Sequence, residues 1–104
     1  MSIRTAERRR SIRVAAAHPY VLRDRKNRVI GRGRTSNISE AGVLTVVRDH
    51  PRIPDQGQVV LDLTVPADPI AGTTRTVKYR CRVVRRQTMG NMIGLGLEFL
   101  QKLR

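Results

Sequence analysis

The sequence is poor in residues that build many common kinds of site. It has one cysteine, Cys81, which excludes an internal disulfide, and together with two histidines it falls short of the usual four zinc ligands. No run of about 18 apolar residues could form a transmembrane helix. The first ten residues, MSIRTAERRR, also lack the apolar stretch of a signal peptide. We therefore expect a cytoplasmic protein without a metal or cofactor.

Aromatic residues and catalytic patterns are equally scarce. Tryptophan is absent, and the aromatic residues are Tyr20, Tyr79 and Phe99. Tyr79 and Phe99 fall on apolar faces of predicted strands, whereas proteins that bind single-stranded nucleic acid stack the bases on exposed rings. The sequence also shows no carboxylate pair, metal cluster or nucleophile beside a base, so we expect a protein that is not an enzyme.

Arginine is the residue that the sequence has in abundance. Lys and Arg number 21 against 8 acidic residues, for a net charge of +13, and all but three of the basic residues are arginine. Residues 1–34 hold eleven basic and two acidic side chains, a net charge of +9, against +4 for residues 35–104. The guanidinium group forks onto two acceptors at once and stacks on flat rings. Codon bias explains part of such an excess, and a phosphate-bearing, guanine-bearing or nucleic-acid partner explains the rest.

Alternating apolar and polar residues predict a chain built of β-strands. In the strand predicted for residues 76–86, the odd positions from 77 to 83 are apolar or aromatic and the even positions from 78 to 82 are charged, which is the period of a half-buried strand. The same period is found in residues 42–48, 59–65 and 93–99. Two earlier strands are expected in residues 12–22, interrupted at His18-Pro19, and in residues 28–36 despite Gly31 and Gly33.

Turn residues separate these segments, and six short strands at this spacing predict a six-stranded antiparallel β-barrel. At most a short C-terminal helix is expected, beginning within residues 100–104. We divide the chain into a flexible basic N-terminal arm, residues 1–13, and a β-barrel domain, residues 14–104. A chain of 104 residues is long enough for one domain with a modest core.

Two short motifs carry the candidate binding residues. Arg9 and Arg13 form Arg-x-x-x-Arg just before the first strand, and Asn37, Ser39 and Gly42 form Asn-x-Ser-x-x-Gly between two later strands. The first spacing is common in so arginine-rich a chain, and the second is rarer. The 23 residues between the motifs fit two strands and their connection. Asn and Ser side chains in such a turn hydrogen-bond the local backbone and present polar groups outward.

In these two motifs the chain resembles the PilZ domain family, and its closing segment Ile93–Phe99 is similar to the family's usual ending with a longer spacing. The resemblance implies a six-stranded β-barrel that binds cyclic di-GMP. It implies that Arg9 and Arg13 take the guanine edges and phosphates of the ligand. Asn37 and Ser39 would bond the other guanine or its phosphate, and Gly42 would allow a tight turn at the floor of the pocket.

The residue before the first motif bears on how many ligands bind. Arg8 resembles the family variants that take up two stacked, intercalated molecules of cyclic di-GMP. Further along the chain, four arginines predict a ladder that faces solvent, and one of them could reach the rim of the pocket: Arg80, Arg82, Arg85 and Arg86. Ligand binding would order the N-terminal arm and so signal to a downstream protein in motility, secretion, polysaccharide synthesis or transcription.

Two other functions compete with this one. The first is a small basic barrel that binds RNA or single-stranded DNA, which the charge permits and the scarcity of aromatic residues disfavours. The second is a PilZ-like adaptor that binds only protein. Adaptors of that kind lack the arginine and serine motifs, and this chain has both.

Overall fold

The computed structural model describes residues 14–15, 17–68 and 70–103, and the structural statements below concern these residues. They contain seven strands and no helix, so nothing helical that could span a membrane is found in them. The strands are β1 (Val14–Ala15), β2 (Pro19–Arg23), β3 (Val29–Ile38), β4 (Gly42–Arg48), β5 (Gly57–Asp68), β6 (Thr73–Met89) and β7 (Met92–Leu103). The predicted arm, residues 1–13, lies outside the described residues.

Strands β2 to β7 close into an antiparallel barrel. Their order in the sheet is β3-β2-β5-β6-β7-β4, and a further pairing of β3 with β4 joins its two ends. Closure pairs the backbone groups that an open sheet would leave at its edges. The prediction of a six-stranded barrel is confirmed. The short strand β1 is added to it, with Val14 opposite Ile38 on β3.

The core consists of the inward-facing residues of the predicted alternation. Leu22, Val47, Leu61, Ile93 and Leu95 are all fully buried, and other members of the core surround them. Burying each such side chain contributes roughly 1.5–3 kcal/mol to stability. Cys81 belongs to the same core, and burial raises the pKa of its thiol to about 12.

Two glycines in β3 make room for larger side chains of the core. A Cβ on Gly31 would lie 2.9 Å from Cγ1 of Val47, and one on Gly33 would lie 3.3 Å from the hydroxyl of Tyr20. That hydroxyl donates a hydrogen bond of 2.9 Å to the carbonyl oxygen of Val46. Burial raises the pKa of Tyr20 to about 12, although a hydrogen bond with Thr45 acts in the opposite direction. The glycines that weaken the strand ladder thus create space for a buried tyrosine.

The structure differs from the sequence-based expectations at two strand ends. The segment expected to be one interrupted strand forms β1 and β2, and the backbone N–H of His18, between them, donates to Oγ1 of Thr35. At the C-terminus, β7 continues to Leu103 opposite Lys78 of β6. No short C-terminal helix is therefore found in the described residues, because strand pairing extends through residues 100–103, where such a helix could have begun.

The turn between β2 and β3 is organised by one carboxylate. Oδ1 of Asp24 accepts hydrogen bonds of 2.9 Å from the backbone N–H groups of Lys26 and Arg28, and Oδ2 accepts one of 2.7 Å from Nε of Arg28. Asn27 in this turn has a left-handed φ of 68°. Desolvation raises the pKa of Asp24, but the hydrogen bonds from Arg28 and Lys26 together outweigh it, so the pKa lies below its usual value.

Because the folded pKa of Asp24 is lowered, its stabilising effect is present above the unfolded value of 3.8 and is lost as the pH falls through the folded value. We expect Asp24→Asn to lower the melting temperature at pH 7 by a few degrees. The gap to the wild-type protein should narrow in acid. Melting curves at pH 7 and near pH 2.5 test this expectation, and a gap of equal size at both would contradict it.

Candidate functional site

Ser39 organises the connection between β3 and β4. Its Oγ accepts hydrogen bonds from the backbone N–H groups of Ala41 (3.2 Å) and Gly42 (3.3 Å), while its own N–H donates to the carbonyl oxygen of Gly42 (2.9 Å). The hydroxyl donates to that same oxygen over 3.4 Å, which is a weak contact. Ser39 therefore closes the turn as an acceptor and keeps a donor that a ligand could recruit.

Gly42 is required by the close approach of a neighbouring strand. A Cβ at this position would lie 2.1 Å from the carbonyl oxygen of Leu97 and 3.2 Å from Cα of Glu98, both in the backbone of β7. Its φ is not in the left-handed region, unlike that of Gly57, Gly72 or Gly90. The left-handed freedom of glycine is therefore not what this position requires, and the role of Gly42 at the floor of a ligand pocket stays a prediction. The physical reason is steric, because β4 and β7 meet with no space for a side chain.

Asn37 lies on β3 beside the end of β1. The pairing of β3 with β4 is irregular between Thr35 and Asn37, after which Asn37 stands opposite Leu44 on β4. On its other side it faces Ala15 of β1. The side chain is half-buried and forms no hydrogen bond with any residue that the structure describes. Its amide donors and acceptor are available to a ligand.

The three residues of the second motif line one cleft on the outside of the barrel. Its volume is about 300 Å³, and its walls come from β3, β4, β6 and β7 and from the turn at Ser39. The residues that complete it include Leu44, Val84, Arg85, Gly96 and Glu98. The first motif and its neighbour, Arg8, Arg9 and Arg13, lie outside the described residues. The described chain begins at Val14, which is paired with Ile38 at the edge of this cleft.

The floor of the cleft is a row of residues across four strands. Asn37 on β3 is opposite Leu44 on β4, Leu44 is opposite Gly96 on β7, and Gly96 is opposite Arg85 on β6. Neighbouring strands are about 4.8 Å apart, so the row spans about 14 Å. Gly96 has no side chain, which leaves bare backbone in the middle of the row. The result is a shallow floor with an amide at one end and a guanidinium at the other.

The structure distinguishes among the four arginines of β6. Three are held by partners at the barrel surface: Arg80 by Gln101, Arg82 by Glu98, and Arg86 by Asp55 at 2.7 Å and Asp49 at 3.8 Å. Arg85 has a hydrogen bond of 3.4 Å to Gln87 and lines the cleft with the motif residues. The sequence analysis named Arg85 among four arginines of which one could reach the rim of the pocket, but it did not distinguish Arg85 from the other three. The signal was the broken alternation Val83-Val84-Arg85-Arg86, which indicates an irregularity in the strand.

Comparison with known proteins gives two matches of different kinds. The family model described as PilZ domain matches residues 7–104, which include both motifs. Among solved structures, the chain is similar to the inhibitor of motility MotI/DgrA from Bacillus subtilis, with a TM-score of 0.72 and 18% sequence identity. The match covers 92% of this chain and 44% of that one, so this chain spans less than half of that protein. A sequence search of curated proteins gave no significant match.

Proposed function

Because the chain belongs to the PilZ domain family, we propose that it is a cytoplasmic receptor for cyclic di-GMP and not an enzyme. The observation that carries the proposal is the position of Asn37, Ser39 and Gly42. They line one cleft, and β1, which directly follows the Arg-x-x-x-Arg segment in sequence, is paired at the edge of that cleft. This arrangement supports a site that combines the two motifs, although 23 residues separate them in sequence.

The chemistry of the ligand matches these residue types. Cyclic di-GMP has two phosphates, each with a negative charge, and two guanines, each with O6 and N7 acceptors on one edge. Arginine binds either feature through two parallel hydrogen bonds, and we assign this role to Arg9 and Arg13. Asn37 and Ser39 supply neutral donors from the barrel side, where the Ser39 hydroxyl exchanges its weak contact with Gly42 for one with the ligand.

We further propose that two stacked ligands bind, with Arg8 contributing to the second. A wider groove of about 610 Å³ adjoins the cleft and shares Val84 and Arg85 with it, so there is space for a second molecule in contact with the first. Binding would order residues 1–13 over the cleft and change the surface that a downstream protein meets. Such an order–disorder step is a known means of switching.

Calorimetric titration of the purified protein with cyclic di-GMP tests the proposal. We expect saturable binding at micromolar or lower concentration with two ligands per chain, and no heat with GTP. Asn37→Ala should weaken binding roughly tenfold, because it removes hydrogen bonds from the cleft. Ser36→Ala is the matched control on the same strand, since Ser36 is exposed and does not line the cleft.

Several outcomes would contradict parts of the proposal. A folded sample that gives no heat at high ligand concentration would rule out the receptor function. Saturation at one ligand per chain would rule out the stacked pair only. Equal effects of the two variants would remove Asn37 from the site.

Nucleic acid is the alternative ligand, and the structure gives it little support. Tyr20 is buried, and Tyr79 and Phe99 are partly buried against the core and stack on each other with ring centroids 4.2 Å apart, so the described residues present no fully exposed ring for a base. Repeating the titration at about 50 and 200 mM salt separates the two ligands. Nucleic acid held by many phosphates would lose about a thousandfold or more in affinity over that range, and a ligand with two phosphates far less.

A further inference from the structure

A bulge in β6 changes which residues face the cleft. Val83 is opposite Leu97 on β7 and Arg85 is opposite Gly96, so two residues of β6 correspond to one step of β7. Val83 is 5% exposed and belongs to the core, whereas Val84 is 58% exposed. Bulges of this kind redirect side chains and recur beside functional sites. Here the bulge places Val84 and Arg85 together at one wall of the cleft.

The floor beside Arg85 is flat and largely apolar. A Cβ on Gly96 would lie 3.1 Å from Cβ of Arg85 and 3.8 Å from Cγ2 of Val84, so any side chain at Gly96 would stand in the space that these two residues border. Leu44 lies on the other side of Gly96. The bare backbone of Gly96, between the apolar side chains of Val84 and Leu44, provides a surface on which a planar ring can lie.

Arg85 also provides the cleft with a positive charge that a ligand could bind. Glu98, the acidic residue of the lining, is paired with Arg82. Among the described residues that line the cleft, Arg85 carries the positive charge, and no carboxylate of the described chain is paired with it. Its guanidinium has the 3.4 Å contact with Gln87, which is weak enough to be replaced.

Resting on the proposed function, we infer that Arg85 is a specificity residue that reads one guanine of the ligand. The base lies over the backbone of Gly96, and the guanidinium meets its O6 and N7 acceptors through two hydrogen bonds. Adenine has an amino group in place of O6. With adenine the guanidinium would therefore lose one hydrogen bond, and its own N–H would face the N–H of that amino group. Asn37, about 14 Å away along the row, contacts the far side of the same ligand.

The test compares cyclic di-GMP with cyclic di-AMP in titrations of the full chain. Arg85→Ala should weaken cyclic di-GMP binding about tenfold or more and leave the weaker binding of cyclic di-AMP nearly unchanged, so selectivity falls by the same factor. Arg85→Lys retains the charge without the planar fork and should recover only a minor part of the loss. Arg80→Ala is the matched control, because Arg80 is exposed on the same strand and outside the cleft.

The outcomes separate this inference from the function on which it rests. If the wild-type protein does not bind cyclic di-GMP, the proposed function fails. If it binds and Arg85→Ala binds equally well, the function stands and the role of Arg85 is wrong. Equal losses for both dinucleotides, or full recovery by Arg85→Lys, would show that the charge acts on a phosphate and would overturn guanine reading.

Discussion

Gly42→Ala is expected to destabilise the barrel by about 3 kcal/mol, a large part of the stability of a domain of this size. The added Cβ would lie 2.1 Å from the carbonyl oxygen of Leu97 and 3.1 Å from its carbonyl carbon. Both atoms belong to the backbone of β7, which is hydrogen-bonded to β4 and β6, so neither can move alone. Urea denaturation gives the free energy of unfolding directly.

Gly94→Ala is the matched control for this prediction. A Cβ on Gly94 would lie 3.3 Å from Cε of Met89, the end of a flexible side chain that can move aside. We expect Gly94→Ala to cost less than about 1 kcal/mol, well below the effect at Gly42. If the Gly42 variant were as stable as the Gly94 variant, the close approach of β4 to β7 would be wrong.

This result would also change how the second motif is interpreted. A Gly42 variant that fails to bind ligand would say little about a contact, because the turn at Ser39 depends on the same junction. The N–H of Phe99 donates 2.8 Å to the carbonyl oxygen of Ala41, which holds that turn against β7. The glycine of Asn-x-Ser-x-x-Gly therefore positions the turn, and Asn37 is the cleaner residue for a binding test.

The strands could be predicted because a closed barrel buries one face of each of them. Residues 42–48 alternate without interruption, and β4 has the bounds expected from the sequence. In β6 the same rule holds only as far as the bulge. Beyond the bulge, even-numbered positions take the place of odd-numbered ones on the inward side of the strand. Arg86 therefore stands opposite buried Leu95 and donates a hydrogen bond to the carbonyl oxygen of Ile53. The broken alternation in residues 83–86 indicates an irregularity, but periodicity alone cannot show which residue is unpaired, since that residue is defined by the partner strand.

The candidate site likewise has one part that could be predicted from the sequence and one part that could not. Ser39 and Gly42 belong to one turn, so their spacing in sequence already brings them together. Arg85 and Gly96 reach the cleft only through three strand pairings, with irregularities in β3 and in β6. A change of register by one residue would turn each side chain to the opposite face. Local motifs thus identified one wall of the cleft, and the wall from β6 and β7 required the structure.

The double variant Arg9→Ala, Arg13→Ala is expected to lose nearly all affinity for cyclic di-GMP. Each arginine is assigned a charge-assisted contact worth about 1.5–3 kcal/mol. Together they account for about 3–6 kcal/mol, or roughly a hundredfold to more than ten-thousandfold in the dissociation constant. The two side chains share one ligand, so their effects need not add, and the single variants are measured beside the double. Calorimetry, or competition for the weakest variants, provides the constants.

The double variant Arg4→Ala, Arg10→Ala is the control that separates the effect of where the arginines lie from the effect of their charge. It removes two arginines from the same segment and leaves the same net charge as the test variant. If Arg9 and Arg13 act as forks on the ligand, the control should bind within a few-fold of the wild-type protein. Equal losses would mean that general attraction between a basic segment and an anion accounts for binding, and the assigned contacts would be wrong. Melting curves without ligand must agree among the three proteins, because only then does lost binding report a lost contact rather than a lost fold.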